Sequence, residues 1–376
     1  MNFLKEKLTT FISSLLLVIV IAFAIIHHSS NDVAERFINS NTNDEVGNTD
    51  FSRHKQQVEI WRKKLGIDLP IFYFSVESLA EKNEFNPSDA IDLKYWIPVI
   101  RFHTDNQFHR WLFGDDVFSR GLVRGDFGSS YVTRQPVTEL IKGRIGWSIG
   151  LTLLAILLSF IISIPLSFRA ALNSGRRFDQ LLKSSSLLLI SLPVFWLGLL
   201  LLLLFANPDC LNWLPASGVA PVSESYSGFL EKIISTIPYL ILPTLCYMVS
   251  SMSFLLISIR DSAFEELQTD YVRTALAKGQ KESTVLYTHV FRNLLPTLLT
   301  FFSYAFPAAI SGSVLIESIF GIPGMGLTIE QAVYGKDYPV LSAVFLISSL
   351  ITLLGFLITD LIIARLDPRT TVKISA

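Results

Sequence analysis

Charge and cysteine are both scarce in this chain. Only 17% of its 376 residues are charged and 50% are hydrophobic, with a mean hydropathy of +0.46. That balance excludes an ordinary soluble enzyme and points to a membrane protein. The formal net charge is -1, and no basic face suited to nucleic acid emerges. Cys210 and Cys246 are the only cysteines, one in a polar loop and one inside an apolar run. A bilayer boundary falls between them, so neither a disulfide nor a thiolate metal site is expected. The six histidines lack H-x-x-E-H or C-x-x-C type spacing, and the His27-His28 pair reads as a solvated helix end rather than a metal ligand. No G-x-x-x-x-G-K-[ST] cradle occurs, so the chain is not expected to hold ATP on a P-loop. Internal repeats and low-complexity tracts are missing too.

What is present in quantity is long apolar sequence. A bilayer core takes about 20 apolar residues in helix, because backbone amides find no water there. Six segments qualify: Thr9–Ile26, Ile145–Phe168, Ser184–Ala206, Ile237–Ile259, Thr297–Ile316 and Val340–Ile363. The first also resembles a secretory signal, with Lys5 and Lys7 before the apolar run and Ala22-Phe23-Ala24 as a candidate cleavage site. Ile25 and Ile26 carry the apolar run past that site, so retention as a span is expected. The fold class read from this pattern is an all-α polytopic membrane protein with six transmembrane helices. Its regions are a first helix over 1–27, a large periplasmic insertion over 28–144, a core of five further spans over 145–365 and a cytoplasmic tail over 366–376.

Orientation follows from where short loops keep Lys and Arg. The joint after segment two holds Arg169, Arg176, Arg177 and Lys183 against the single acid Asp179, and the C-terminus holds Arg365, Arg369 and Lys373. Both termini and that joint are therefore expected on the cytoplasmic side. Asn207–Thr236 and Ser318–Pro339 then face outward, as does the region from His27 to Arg144. Within that region, Ile71-Phe72-Tyr73-Phe74 and Tyr95-Trp96-Ile97 suggest helices packed over the membrane face, whereas Asn39–Asp50 is polar and reads as mobile.

The cytoplasmic stretch Arg260–Leu295 is amphipathic rather than spanning. Ala263, Leu267, Val272, Ala275, Leu276 and Ala277 supply small or apolar contacts, and Gly279 interrupts the helix before Lys281 restarts it. The result is a helix–turn–helix at the membrane surface. On physical grounds alone it could be a solvated amphipathic loop or a docking site whose small residues admit another protein and whose Arg273 and Lys278 meet acids on it.

Resemblance separates these two. Asp270-Tyr271-Val272-Arg273-Thr274-Ala275, then Ala277-Lys278-Gly279, then His289-Val290, Arg292-Asn293 and Leu295-Pro296, resemble the EAA loop of binding-protein-dependent ABC importer permeases, in the oligopeptide and dipeptide form. Arg273 stands where the loop's naming glutamate would be, as in the peptide-transporter variant. Further islands in shared order resemble the same branch: Leu65–Pro70, Gly125–Ser130, Gln135-Pro136-Val137, Ser191–Gly198, Trp213–Gly218, Glu317–Gly326, Asp337–Val340 and Asp367-Pro368-Arg369. Two departures stand out. His27–Glu35 replaces the Leu-Ala-Pro-Gly-Asp type sequence that follows the first helix, and the distance from Pro70 to Gly125 implies an insertion around Ser75–Arg120.

The resemblance implies a type I importer subunit working by alternating access at the bacterial inner membrane, with no catalytic residues, cofactor or metal of its own. Its coupling loop would be Tyr271, Val272, Arg273, Thr274, Ala275, Ala277, Lys278 and Gly279. The partners it implies are a homologous second permease, two ATPase subunits and a periplasmic peptide-binding protein. Short peptides are the leading cargo, with antimicrobial-peptide uptake as a special case. Nickel or a metal chelate is the alternative within the branch. An intramembrane hydrolase is the rival from another class, although no span presents a paired Ser/His, Ser/Lys or Asp/Asp arrangement. Glu317 and Asp360 lie near helix ends, which favours interfacial anchoring or helix-end packing over a proton relay. Pro165, Pro193, Pro243 and Pro307 fall inside spans, where they can kink helices.

Overall fold

The computed structural model describes residues 2–27, 56, 58–60, 62–63, 68–78, 98–114, 120–219, 229–311 and 313–366. Asn39–Asp50, Tyr95-Trp96-Ile97 and Asp367-Pro368-Arg369 lie outside the described residues. In chain order the elements are α1 (Asn2–His27), β1 (Phe74–Ser78), β2 (Pro98–Phe102), α2 (Gln107–Phe113), α3 (Val137–Leu172), α4 (Arg177–Ser191), α5 (Val194–Phe205), α6 (Phe229–Leu267) and α7 (Asp270–Ala277). A single turn at Glu282–Thr284 and a π-helical segment at Val285–Val290 lead into α8 (Phe291–Ser311). Then follow α9 (Val314–Phe320), α10 (Met325–Tyr334) and α11 (Tyr338–Leu366).

Among the described residues four helices are long and apolar enough to cross a membrane: Lys5–Ile25, Val137–Leu172, Ile234–Leu267 and Tyr338–Arg365. A fifth span is available if α4 and α5 count as one, although they meet at 100°. The sequence predicts a single helix over Ser184–Ala206. The break has a local cause: Pro193 supplies no N–H and biases Leu192 away from helix, and Leu192 is extended at φ -80°, ψ 125°. Pro165 and Pro243, by contrast, sit inside continuous helices. The expected segment Thr297–Ile316 is also divided. Ser313 adopts an extended conformation and its side chain accepts from the Ile316 amide, so it caps a new helix, α9.

The chain forms two compact units. One comprises residues 1–18, 141–335 and 344–376, and the other residues 19–140 and 336–343. The larger unit is helical. Within it α3 and α6 are stitched by polar side chains: Ser159 donates to the Met248 carbonyl at 3.1 Å and Ser167 to the Leu256 carbonyl at 2.9 Å. Both members of each pair advance by the same step along the chain, so the two helices run parallel. Where lipid supplies no hydrophobic drive between helices, such small polar contacts let backbones approach. Two apolar clusters lie at opposite ends of α3. Phe168 and Ala171 join Leu255, Ile259, Val272, Leu286 and Val290, whereas Leu151 and Ala155 join Leu242, Cys246, Ile316 and Phe320. Seventeen residues separate Leu151 from Phe168, or about 25 Å at 1.5 Å per residue.

The smaller unit corrects the all-α expectation. β1 and β2 pair antiparallel, with Phe74 opposite Phe102 and Val76 opposite Ile100. Phe-Ser-Val-Glu-Ser and Pro-Val-Ile-Arg-Phe alternate or carry β-branched residues, a pattern of period two that a helix cannot lay on one face. The apolar cluster at Ile71–Phe74 therefore enters a strand and not a helix. Helix α2 follows, capped by the Asn106 carboxamide, which accepts from the His109 amide at 2.8 Å. Beside it Arg110 grips Asp105 through Nε at 2.8 Å and Nη2 at 2.7 Å, holding that carboxyl below its usual range.

Candidate functional site: the coupling loop and its buried anchors

The surface stretch singled out in the sequence is built as a short helix on a rigid base. α6 ends at Leu267, and Thr269 turns the chain with its hydroxyl donating to the Glu266 carbonyl at 2.6 Å. α7 then begins with Asp270 in its first turn, favourable at the positive end of a helix dipole. It ends in a closed cap, the Gly279 amide donating to the Leu276 carbonyl at 2.9 Å and the Gln280 amide to the Ala275 carbonyl at 3.3 Å. Gly279 sits at φ +82°, which a side chain resists, although the space around it is open. Lys281 is extended and Glu282 restarts the helix.

The eight residues do not share one face. Val272 is fully buried in the cluster around Phe168 and Ile259, and Ala275 packs against that same cluster. The sequence places Ala275 among the small residues that could admit a partner, and the helix phase turns it toward the chain's own interior. The outward face consists of Tyr271, Arg273, Thr274, Ala277, Lys278 and Gly279, with Leu276 beside them. Arg273 meets Asp270 at 3.6 Å, and both are well exposed, so little energy resides in that pair.

Glu266 fixes the loop from below. Its Oε1 accepts from the Tyr271 hydroxyl at 2.7 Å and from the Asn293 amide at 2.7 Å, joining the end of α6, the start of α7 and the start of α8. Burial, and then the Glu266 charge, push the Tyr271 hydroxyl up to about 12. On the far side His289 Nε2 lies 3.1 Å from Gln280 Oε1. His289 belongs to the π-helical segment, a wider turn often found at functional positions.

A second anchor was not legible in the sequence. Arg260 donates from Nε and Nη2 to the two carboxylate oxygens of Asp179, both at 2.7 Å, and from Nη2 to Ser174 Oγ at 2.7 Å. Its Nη1 reaches Asp261 at 2.9 Å, and its guanidinium stands 4.8 Å from the Phe264 ring. The Arg260 and Asp179 side chains are 5% and 3% exposed. Asp179 also accepts from the Gly175 amide at 2.9 Å, so the joint between α3 and α4 is tied to the end of α6. Asp179 had been noted only as the lone acid in a basic joint. A pairing across 81 positions leaves no local trace, and the available signal was one acid and one arginine each standing beside an apolar segment.

Polar anchors also mark the other motif islands. Ser148 donates to Glu317 Oε1 at 2.6 Å, the Met325 amide donates to Ser148 Oγ at 2.7 Å, and the Leu327 amide donates to Glu317 Oε2 at 3.1 Å. Glu317 and Ser148 thus cap the N-terminus of α10. A Cβ at Gly324 would stand 2.5 Å from Glu317 Oε2, which explains the glycine there. In the smaller unit Asp337 receives the Ser130 hydroxyl and, at 3.0 Å, the Tyr131 amide, linking two further islands. Asp360 pairs with Lys7 at 2.8 Å. Both acids flagged near span ends thus occupy helix-end or ion-pair roles.

Among the described residues no three His, Cys, Asp or Glu side chains converge as metal ligands. Cys210 is exposed and Cys246 buried, both as free thiols.

Comparison with known proteins agrees with the islands. Residues 163–372 match the family described as binding-protein-dependent transport system inner membrane component. The chain is 34% identical over 264 residues to the oligopeptide transport system permease protein AppB of Bacillus subtilis, covering 70% of this chain and 79% of that protein. It is 34% identical over 248 residues to the peptidoglycan transport system permease protein YejB of Agrobacterium fabrum, covering 66% and 68%. It is 32% identical over 266 residues to the dipeptide transport system permease protein DppB of Alkalihalophilus pseudofirmus, covering 67% and 79%. With more than half of its length matched by that family, α7 and the Arg260–Asp179 pair included, the chain belongs to the binding-protein-dependent transport system inner membrane components.

Proposed function

We propose that this chain is a peptide-conducting permease subunit of an ATP-driven importer, and that α7 is the element through which partner ATPases act on it. The observation that carries the reading is the presentation of α7: a short helix clamped through Glu266 to the ends of α6 and α8 and closed at Gly279, with one face left outward. A helix held this firmly moves as a unit with the helices behind it. Closure of an ATPase pair would then tilt α6 and α8 and switch the path between inward-open and outward-open.

The remaining assignments follow from the same reading. The chain crosses the inner membrane six times, with α8 as one span and the α4–α5 pair as another. Both termini face the cytoplasm, which the Lys7–Asp360 pair supports by joining the start of α1 to the end of α11. A homologous second permease completes the path, two ATPases supply energy and a periplasmic binding protein delivers cargo. Peptide cargo is supported by the names of the relatives, which are oligopeptide, dipeptide and peptidoglycan permeases. The insertion around Ser75–Arg120 is the part of the outer face peculiar to this chain.

The test is reconstitution of the chain in liposomes with its second permease, ATPases and binding protein. Uptake of labelled short peptides that depends on ATP and on the binding protein is expected. Uptake of nickel with no peptide uptake would replace the cargo assignment, and peptide cleavage by the chain alone would overturn the transport reading.

A further inference from the structure

The β1–β2 ribbon leaves an apolar face exposed. Its outward face is made by Phe74, Val76, Ile100 and Phe102, which pair directly across the two strands. They are 53%, 65%, 61% and 82% exposed. On the other face Ser75 is half-buried and hydrogen-bonded to His103 at 2.8 Å, and Arg101 is its cross-strand neighbour. A ribbon designed for water would turn the second face out and the first face in. At the two paired positions Phe74–Phe102 and Val76–Ile100 the outward face is wholly apolar, and Ser78 opposite Pro98 follows at its end, whereas transient protein docking faces are about as polar as the rest of a protein surface.

The ribbon's position supplies the reason. Phe23 lies two residues before the end of the apolar span Lys5–Ile25, so it marks the depth at which α1 leaves the hydrocarbon. Its ring packs on Phe108 at 5.1 Å and on Trp111 at 5.6 Å. Phe108 packs on Phe72 at 4.7 Å, and Phe72 on Phe74 at 5.5 Å. An unbroken run of aromatic rings therefore ties the first residue of the ribbon to the exit point of the span, and Trp111 and Tyr73 beside it are residue types enriched at the membrane–water interface.

We infer that the β1–β2 ribbon is a membrane-surface anchor whose outward apolar face sits in the headgroup and upper acyl region of the bilayer. An apolar face so placed would enter roughly 5–10 Å into that boundary. The ribbon thereby fixes the height of the inserted region against the membrane surface. This rests on the membrane character of α1 and is independent of the cargo.

The experiment uses the full chain with its partner subunits in lipid nanodiscs, with Cys210→Ser and Cys246→Ala as background. Single cysteines at Val76, Phe102 and, on the opposite face, Arg101 carry an environment-sensitive fluorophore, and the discs contain lipids bearing a nitroxide at the headgroup or upper acyl chain. Quenching at least about twofold stronger at Val76 and Phe102 than at Arg101 is expected if the outward face is lipid-immersed. Both replaced residues are exposed, so neither substitution removes a packed core contact, and agreement between the two sites excludes a local folding defect. Quenching equal at all three sites and no greater than for a soluble probe would overturn the proposal. So would shielding of Val76 and Phe102 that appears only when the binding protein is added, or probe self-quenching that marks contact with a second copy of the chain.

Discussion

At the scale of residues, two positions separate a coupling element from an ordinary surface loop. Ala277 lies on the outward side of α7 and Gly279 closes its end at φ +82°. Ala277→Arg places a long charged chain on the proposed docking face without disturbing the cluster beneath. Gly279→Val forces a β-branched residue into a left-handed conformation, at a cost of about 1–3 kcal/mol. Each variant is expected to lower ATPase co-purification at least about tenfold, the equivalent of 1.4 kcal/mol in docking, with membrane insertion unchanged. Wild-type co-purification and cargo-stimulated hydrolysis in both would remove α7 from the coupling role. Arg260 and Asp179 make a different kind of claim. Asp179→Asn takes the buried carboxylate from an arginine at 5% exposure and leaves it only the half-exposed Asp261, and breaking a buried pair in this way costs up to about 3–5 kcal/mol. A clear fall in the melting temperature in nanodiscs is expected. The double variant Asp179→Leu with Arg260→Met should recover most of it, because an apolar pair of similar volume carries no desolvation cost.

At the scale of elements, the parity of the spans is open to test. Ser159 with Met248 and Ser167 with Leu256 set α3 and α6 parallel, so one antiparallel crossing must lie between them, and α4–α5 is the chain segment that can make it. Membrane-impermeant labelling of single cysteines is expected to reach Arg101 only from the periplasm, and Arg176 and Lys278 only from the cytoplasm. Reaction at Lys278 from outside would invert the topology. The 100° turn at Pro193 was hidden from sequence reading by hydrophobicity. Large apolar side chains fill Leu187–Leu204 except at Ser191, Pro193 and Gly198, and a hydropathy window does not record that Pro193 has no amide to donate. The ribbon was missed for a related reason. Ile71-Phe72-Tyr73-Phe74 is a continuous apolar run, and such runs suit helix or strand equally until the alternation at Ser75, Val76 and Glu77 is weighed.

At the scale of the whole molecule, the chain should be inert alone and active in company. Purified by itself it is expected to hydrolyse no ATP. With ATPases, second permease and binding protein restored, hydrolysis should rise on addition of cargo-loaded binding protein and the rise should be lost in the Gly279→Val complex. Equal stimulation of the wild-type and variant complexes would show that force reaches the spans by some route other than α7.

The sequence alone determined the membrane class, the apolar segments, the surface loop at Arg260–Leu295 and the glycine turn that ends its first helix. These rest on composition, on periodicity within about twenty residues and on one residue's backbone freedom, all of which are local. Only the tertiary structure decided that Ala275 faces inward, that Glu266 clamps Tyr271 to Asn293, that Asp179 belongs to Arg260 and that Glu317 caps α10. Each of these depends on which helix stands beside which. In an apolar chain nearly every helix surface is greasy enough to face lipid or protein, so hydrophobic pattern does not choose among neighbours. The choice is made by a few buried polar groups that must find partners in a medium without water, and such partners can stand as far apart along the chain as Ser148 and Glu317, 169 positions.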